Sequence, residues 1–291
     1  MNDLVDALEL RTLLESHGFR AASSNFEDLY STLAADPSHR GLCRKLEETV
    51  EDYFACMQLP DEPTLYDHLI LSLRSKDCVA TFNWDPLLFQ ASQRNYQKAP
   101  SPQLIFLHGN TAVGYCHRDK VKGPRTSVCR RCGEAFLRSR LFYPVTQQDY
   151  SSDPSINAEW RGMKSVMQAA YMVTIFGYSA PRTDEEAIRL LKEGWGPTEK
   201  RNLEQMDFID IKSEDEIAAN WKDFIHTHHY GVVSDFYLSC LFNYPRRTCE
   251  AFWSAVMEMR PFPEFPLPRD VGFEELWKWV DTLARVEGGK T

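Results

Sequence analysis

The stretch CVATFNWD, residues 78–85, is a short apolar and β-branched run that ends in polar residues. A second run of this kind, LIFL at residues 104–107, ends in His108 and Gly109. Short apolar runs bounded by polar or turn residues are typical of buried parallel strands. We therefore predict two neighbouring parallel strands whose carboxyl ends carry polar side chains.

Helical and strand patterns alternate along the rest of the chain. Further strands are predicted at residues 171–176 and 207–211. Helices are predicted at residues 25–35, 38–57, 158–170, 183–193 and 273–285. This alternation predicts an α/β fold: a Rossmann-like parallel sheet with a small zinc-ribbon-like insert and helical N- and C-terminal regions.

The patterns divide the chain into three regions. We expect a helical N-terminal region at residues 1–75 and an α/β core at residues 76–242, which contains a Cys-rich insert at residues 110–142. A helical C-terminal extension follows at residues 243–291. With 291 residues, 43% of them hydrophobic and 26% charged, the chain is long enough to bury a sizeable core.

Charge and cysteine content exclude several functional classes. The net charge of −9, from 33 basic and 42 acidic residues, disfavours nucleic acid as a partner. The longest apolar stretch, around residues 169–176, is far shorter than the ~20 residues that a membrane span needs, so no membrane role is expected. The eight cysteines are interpreted as reduced thiols, which predicts a cytoplasmic protein.

Three predicted strand ends carry residues that suit ligand binding. Asn83 and Asp85 follow the first strand, His108 follows the second, and Gly177 and Ser179 follow the strand at residues 171–176. In open α/β sheets, ligands bind outside the carboxyl ends of the strands. The alternative for each residue is a turn-forming role, as for Asp85 before a proline.

The order of these motifs resembles the sirtuin-like superfamily of NAD-consuming proteins. The resemblance covers about residues 24–242 and rests on TFNWD at 81–85, LHG at 107–109, the Cys-rich insert and FGYS at 176–179. Pro181 and Asp184 after the last motif match the bacterial sirtuin-like branch. The resemblance implies that NAD is the substrate and that the protein serves in a bacterial defence or toxin-like system.

The resemblance also implies roles for individual residues. Cleavage of the nicotinamide–ribose bond passes through an oxocarbenium-like centre, which needs an oriented water or hydroxyl and a base. The amide of Asn83 suits the first task and the imidazole of His108 suits the second. By similarity, the cofactor-binding residues are Thr81, Asp85, Gly177 and Ser179.

The insert contains a candidate zinc site. Cys129 and Cys132 have the two-residue gap that lets both thiolates bind one ion, and Cys116 is a third candidate ligand. Either Asp119 or His117 would complete a tetrahedral set. Such a site is expected to be structural; the alternative is that the thiols are small buried hydrophobic groups without a metal.

One part of the sirtuin pattern cannot be placed in this sequence. Sirtuin-like domains begin with a strand and a Gly-Ala-Gly loop that holds the NAD diphosphate, whereas Gly18 is the only glycine before residue 25. Either the two flanking strands pair directly, or another segment or chain supplies the strand. The alternative function is an inactive sirtuin-like scaffold or nucleotide sensor that binds a protein partner or a second copy through its helical ends.

Overall fold

The computed structural model describes residues 5, 8–18, 26–143, 149–178 and 185–288. Within them the strands are β1 (Cys78–Thr81), β2 (Gln103–Phe106), β3 (Val113–Cys116), β4 (Val121–Pro124), β5 (Leu137–Arg138), β6 (Met172–Phe176), β7 (Gln205–Ile209) and β8 (Tyr230–Val233). The α-helices are α1 (Leu10–Ser16), α2 (Phe26–Ala34), α3 (Arg40–Ala55), α4 (Leu65–Leu71), α5 (Leu87–Asn95), α6 (Pro154–Ala169), α7 (Glu185–Trp195), α8 (Glu214–Trp221), α9 (Cys240–Asn243), α10 (Thr248–Val256) and α11 (Phe273–Gly288). The α/β class and the parallel strands are confirmed.

Several helices begin where their first residues satisfy the free backbone N–H groups. Thr64 and Asp67 form a capping box at α4, and Ser213 and Glu216 form one at α8. The carboxylate of Asp153 caps α6, which the sequence pattern had started four residues too late, at residue 158.

The parallel strands form two separate sheets within the described part of the chain. One contains β1 and β2, and the other has the order β6-β7-β8. The Thr81 carbonyl oxygen on β1 accepts a hydrogen bond from the Leu107 N–H after β2, so the backbone groups of Cys78 and Ala80 point away from β2. On β6, the backbone groups of Met172 and Thr174 point away from β7 in the same way. Thus β1 and β6 do not pair directly, and no described strand lies hydrogen-bonded between them.

Side chains rather than backbone bonds join the two sheets. Ile105 from β2, Trp160 from α6 and Phe208 from β7 are buried in one hydrophobic cluster. Phe82 after β1 and Ile175 on β6 pack against the same cluster. Burial of this shared apolar surface holds the carboxyl ends of β1, β2 and β6 in one region of the molecule.

The N-terminal helices pack over the end of β1. Phe26 from α2 and Leu46 from α3 share a cluster with Trp84, which follows Asn83 in the chain. Leu141, near the end of the insert, and Tyr143, directly after it, complete this cluster. The helical layer therefore covers the segment that carries the TFNWD motif.

The insert is a small antiparallel sheet with the order β4-β3-β5. Gly114 on β3 and Gly123 on β4 both face the side chain of Phe136, which a Cβ at either position would approach to 2.7 Å. Glycine at these two positions makes room for the ring. Cys116 is the last residue of β3. The sheet brings it next to the β3–β4 and β4–β5 loops, which carry the other candidate zinc ligands.

The C-terminal helix is anchored to the core through a buried arginine. Arg246 is 2% exposed, and its Nε donates to Glu287 on α11 at 2.7 Å. Its Nη1 also donates to the Leu73 carbonyl oxygen at 2.7 Å. Within the described residues, no helix combines the length and apolar character that crossing a membrane requires.

Candidate active site and metal cluster

The ring of Phe82 lies at the point where three strand ends meet. It contacts the His108 ring edge-on at 4.8 Å between centroids and stacks on the Tyr178 ring at 4.3 Å. Asn83 and Gly177 are the chain neighbours of Phe82 and Tyr178. The structure therefore brings the three motifs of the sequence pattern into one region.

Asn83 is exposed at the end of β1. Its backbone N–H donates to the Thr81 hydroxyl at 3.0 Å, so Thr81 shapes the turn that presents Asn83. Burial raises the pKa of Tyr66 on α4, and the nearby side chain of Asn83 partly offsets that rise.

Asp85 is half-buried and serves as a cap in this structure. Its Oδ1 accepts a hydrogen bond from the Leu87 backbone N–H at 2.9 Å, at the start of α5. Burial raises the pKa of Asp85, against the lowering effect of this bond. Its backbone carbonyl accepts from the Asn110 side chain at 2.6 Å, which ties the end of β1 to the segment after His108.

His108 lies two residues after the buried end of β2 and is held by an aromatic neighbour. Its Nε2 lies 2.7 Å from the hydroxyl of Tyr150, and the two rings stack at 5.6 Å. The His108 carbonyl accepts from the Phe142 N–H at 2.9 Å. The ring contacts hold the imidazole against Tyr150. The backbone contact attaches His108 to Phe142, the last residue of the insert.

Gly177 adopts a left-handed conformation with φ of 63°, which explains glycine at this position. Its N–H donates to the Ile209 carbonyl at 3.0 Å. Among the described residues, no heavy atom lies within 4 Å of a Cβ built on Gly177. Ser179, together with Pro181 and Asp184 of the same motif, lies outside the described residues.

The candidate zinc ligands form a compact cluster. The ligand atoms of Cys116, Asp119, Cys129 and Cys132 all lie within 4.8 Å of one another. The Cys116 and Cys132 sulfurs are 3.5 Å apart, and the Cys129 sulfur is 3.2 Å from Asp119 Oδ2. Three sulfurs and one carboxylate oxygen make a ligand set suited to tetrahedral zinc.

The structure favours Asp119 over His117 as the fourth ligand. His117 packs edge-on against Tyr115, at 5.6 Å between ring centroids, and is not part of the cluster. The pKa of the Cys132 thiol is raised to about 12, mainly because the protonated thiol donates a hydrogen bond to the Asp119 carboxylate. A divalent cation bound by this ligand set would keep the thiolates deprotonated.

No family model matches the chain, and no curated protein matches it. Among solved structures, the chain is similar to a Sir2 homologue in complex with NAD, with 15% identity, a TM-score of 0.35, and 69% of this chain and 71% of that chain covered. It is also similar to Sir2 in complex with the inhibitor EX-527, 2'-O-acetyl-ADP-ribose and deacetylated p53 peptide, with 18% identity, a TM-score of 0.36, and 76% and 80% covered.

A third similar structure addresses the structural basis of sirtuin substrate affinity, with 17% identity and a TM-score of 0.33. The match covers 60% of this chain and 65% of that chain, so the chain spans slightly under two thirds of that structure's length.

Sequence patterns gave no indication of the residues that support the candidate site. Tyr150 is 42 positions from His108, and nothing in its neighbourhood suggests a histidine partner. Phe82 belongs to the TFNWD motif, but the sequence did not show that its ring would lie between His108 and Tyr178.

Proposed function

We propose that this protein is a sirtuin-like NAD hydrolase that cleaves the nicotinamide–ribose bond. The observation that carries the proposal is the meeting of Asn83, His108 and Gly177 around the stacked rings of Phe82 and Tyr178. An exposed amide, an imidazole beside a tyrosine hydroxyl and a glycine turn, all at strand carboxyl ends, suit this reaction.

The residues suit hydrolysis in which a water oxygen attacks the ribose C1'. The C1'–nitrogen bond breaks, and nicotinamide leaves with the bonding electron pair. Asn83 orients the attacking water, and His108 takes its proton. His108 Nε2 lies 2.7 Å from the Tyr150 hydroxyl, and the tautomer of the imidazole sets which of the two groups donates. Thr81 and Asp85 hold the turn that presents Asn83, and Gly177 and Ser179 approach the ribose or phosphates.

We assign zinc to the cluster of Cys116, Asp119, Cys129 and Cys132, with a structural role. All four ligands come from the insert, and a four-ligand set leaves no open position for a reacting group. None of the eight cysteines, all of which lie in the described residues, forms a disulfide, which supports action in the cytoplasm. The motif order supports a role in a bacterial defence or toxin-like system.

Release of nicotinamide from NAD by the purified chain tests the proposal. We expect release by the wild-type protein and a loss of at least about 100-fold for His108→Ala, since general acid–base catalysis contributes factors of this size. Asn83→Ala is expected to lose activity as well. His228→Ala is the matched control, because His228 is an exposed loop histidine. An inert wild-type protein that also fails to bind NAD would instead support the scaffold function.

A further inference from the structure

A slot lies between β1 and β6, the two strands that face each other across the divided parallel sheet. At their carboxyl ends, the Phe82 ring stacks on the Tyr178 ring at 4.3 Å. At their amino ends, Glu250 on α10 pairs with Lys76, two residues before β1, at 3.3 Å. Trp253 on the same helix packs against the residue directly before β6, at 5.9 Å between ring centroids. The two strands therefore run side by side in the same direction, although they do not pair.

Both sides of the slot present backbone groups that can bond to a further strand. These groups belong to Cys78 and Ala80 on β1 and to Met172 and Thr174 on β6. No strand within the described ranges pairs with them. In parallel pairing, alternate residues of a strand bond to its two neighbours. A single extended chain running in the same direction would therefore bond to β1 through one alternate set of its residues and to β6 through the other.

The outer edge of β2, in contrast, is closed by side chains. Lys122 Nζ donates to the Leu104 carbonyl oxygen at 2.5 Å, and the Phe106 N–H donates to the Glu159 carboxylate at 2.9 Å. Lys122 and Glu159 also form an ion pair at 2.7 Å. Proteins commonly block exposed strand edges in such ways, because an open edge pairs with other chains. This sheet is thus blocked at its outer edge and open at the slot.

The burial of the strands supports an incomplete sheet. Parallel strands covered by helices are normally buried on both faces. Residues 104–106 of β2 and 208–209 of β7 follow this rule and are at most 9% exposed. Every residue of β1 and the first four residues of β6 are only half-buried, and Phe176 at the end of β6 is 43% exposed. Neither β1 nor β6 carries a charged side chain, so the slot suits an uncharged, apolar strand.

We propose that this slot binds an extended segment of a partner protein, about five residues long and rich in Val, Ile or Leu, as a parallel strand between β1 and β6. The length matches that of β6, which has five residues. Main-chain hydrogen bonds on both sides hold the segment, and the apolar surroundings select its side chains. The inference is independent of the hydrolase function.

A second copy of this chain fits the slot less well than a partner protein. The described strands already pair within their own sheets. The extended segment before α11 contains Pro261, Pro263, Pro266 and Pro268, which lack the N–H groups that a central strand donates. The residues outside the described ranges contain no run of four apolar residues.

Hydrogen exchange measured by NMR shows whether the slot is open. In the free protein, we expect the amides of Ala80 and Thr174, which face the slot, to exchange rapidly. The amides of Thr81 and Ile175 face β2 and β7 and should be protected. Protection of Ala80 and Thr174 in the free protein would mean that the slot is already closed, and would overturn the proposal.

A pool of synthetic peptides tests the occupant. Five central positions are Val, Ile, Leu or Ala, and a pair of lysines flanks each end. We expect members of the pool to bind and to protect the amides of Ala80 and Thr174. N-methylation of either alternate set of central residues should weaken binding about tenfold or more, because each set bonds to a different side of the slot. Sensitivity to one set alone, or no binding by any member of the pool, would overturn the proposal.

Proline variants test the slot from the side of the protein. Ala80→Pro and Thr174→Pro each remove one N–H that faces the slot and no bond to β2 or β7, so each should weaken peptide binding about tenfold or more. Val232→Pro is the matched control, because the Val232 N–H points away from β7 at the outer edge of β8, and this variant should bind the peptide normally. The wild-type protein alone should sediment as a monomer. A dimer that Ala80→Pro converts to monomers would assign the slot to a second copy and overturn the proposed partner.

Discussion

The buried carboxylate of Asp67 joins helices α4 and α5, and its removal should destabilise the fold strongly. Asp67 lies on α4, next to Tyr66, and its side chain is 0% exposed. It accepts hydrogen bonds from Arg94 Nε at 2.6 Å and Asn95 Nδ2 at 2.8 Å, both on α5. It also accepts from the Thr64 N–H and hydroxyl, each at 2.7 Å. Asp67→Ala removes this junction between α4 and α5.

The size of the loss follows from what each partner retains. Removing one member of a buried ion pair costs roughly 3–5 kcal/mol, mostly because the other charge is left unpaired. Arg94 remains 22% exposed and still donates to the Pro60 carbonyl at 2.7 Å, which reduces that penalty. Asn95 keeps its bond to the Ala91 carbonyl at 2.8 Å. We therefore expect Asp67→Ala to lower the free energy of unfolding by about 3 kcal/mol, the lower end of this range.

Urea unfolding measures this change. With an m-value of about 3 kcal/mol/M, the midpoint should fall by about 1 M. Asp52→Ala is the matched control, because Asp52 is an exposed aspartate on α3 and its replacement should change stability by less than about 0.5 kcal/mol. A loss below about 1 kcal/mol for Asp67→Ala would refute the reasoning, since such a value is typical of an exposed pair.

Three further predictions concern pH, the metal and the turn after His108. Burial raises the pKa of Asp67, but hydrogen bonds from Arg94 and Thr64 outweigh it and lower the pKa. The ionised group therefore stabilises the fold above about pH 4, and the stability advantage of wild type over Asp67→Asn should shrink as acid unfolding proceeds below that pH. Elemental analysis should find about one zinc ion per chain in the wild-type protein and in His117→Ala, and less than about half a zinc ion per chain in Asp119→Ala. Equal loss of zinc from the two variants would contradict the assigned ligands. Gly109 has φ of 83°, and a Cβ there would overlap the Arg140 carbonyl, so Gly109→Ala should cost at least about 2 kcal/mol in thermal unfolding, whereas Gly41→Ala, with open space, should not destabilise.

Local sequence patterns were sufficient for four of the five parallel strands and for the cluster of candidate metal ligands. β1 and β2 lie within one residue of their predicted bounds, because short apolar runs between polar residues have few alternatives to a buried strand. The predicted strand at residues 207–211 lies two residues earlier, at Gln205–Ile209. The spacing of Cys129 and Cys132 was enough to suggest the cluster, because the two-residue gap directs both thiols to one point.

Long-range arrangement was not contained in local patterns. β8 went unpredicted because its four residues, YGVV, include a glycine and directly follow polar histidines. The separation of β1 from β6 depends on tertiary packing in the cluster around Trp160. The pairing of His108 with Tyr150 depends on the same packing. The division of the chain into three regions stays a prediction.

A double-variant comparison of nicotinamide release from NAD tests most directly whether Asn83 and His108 act together at one site. Residues that act in one step show strongly non-additive losses. We predict that the Asn83→Ala, His108→Ala double variant releases nicotinamide at a rate within about threefold of the slower single variant. Losses that multiply across the two substitutions, or full activity in His108→Ala, would contradict the account.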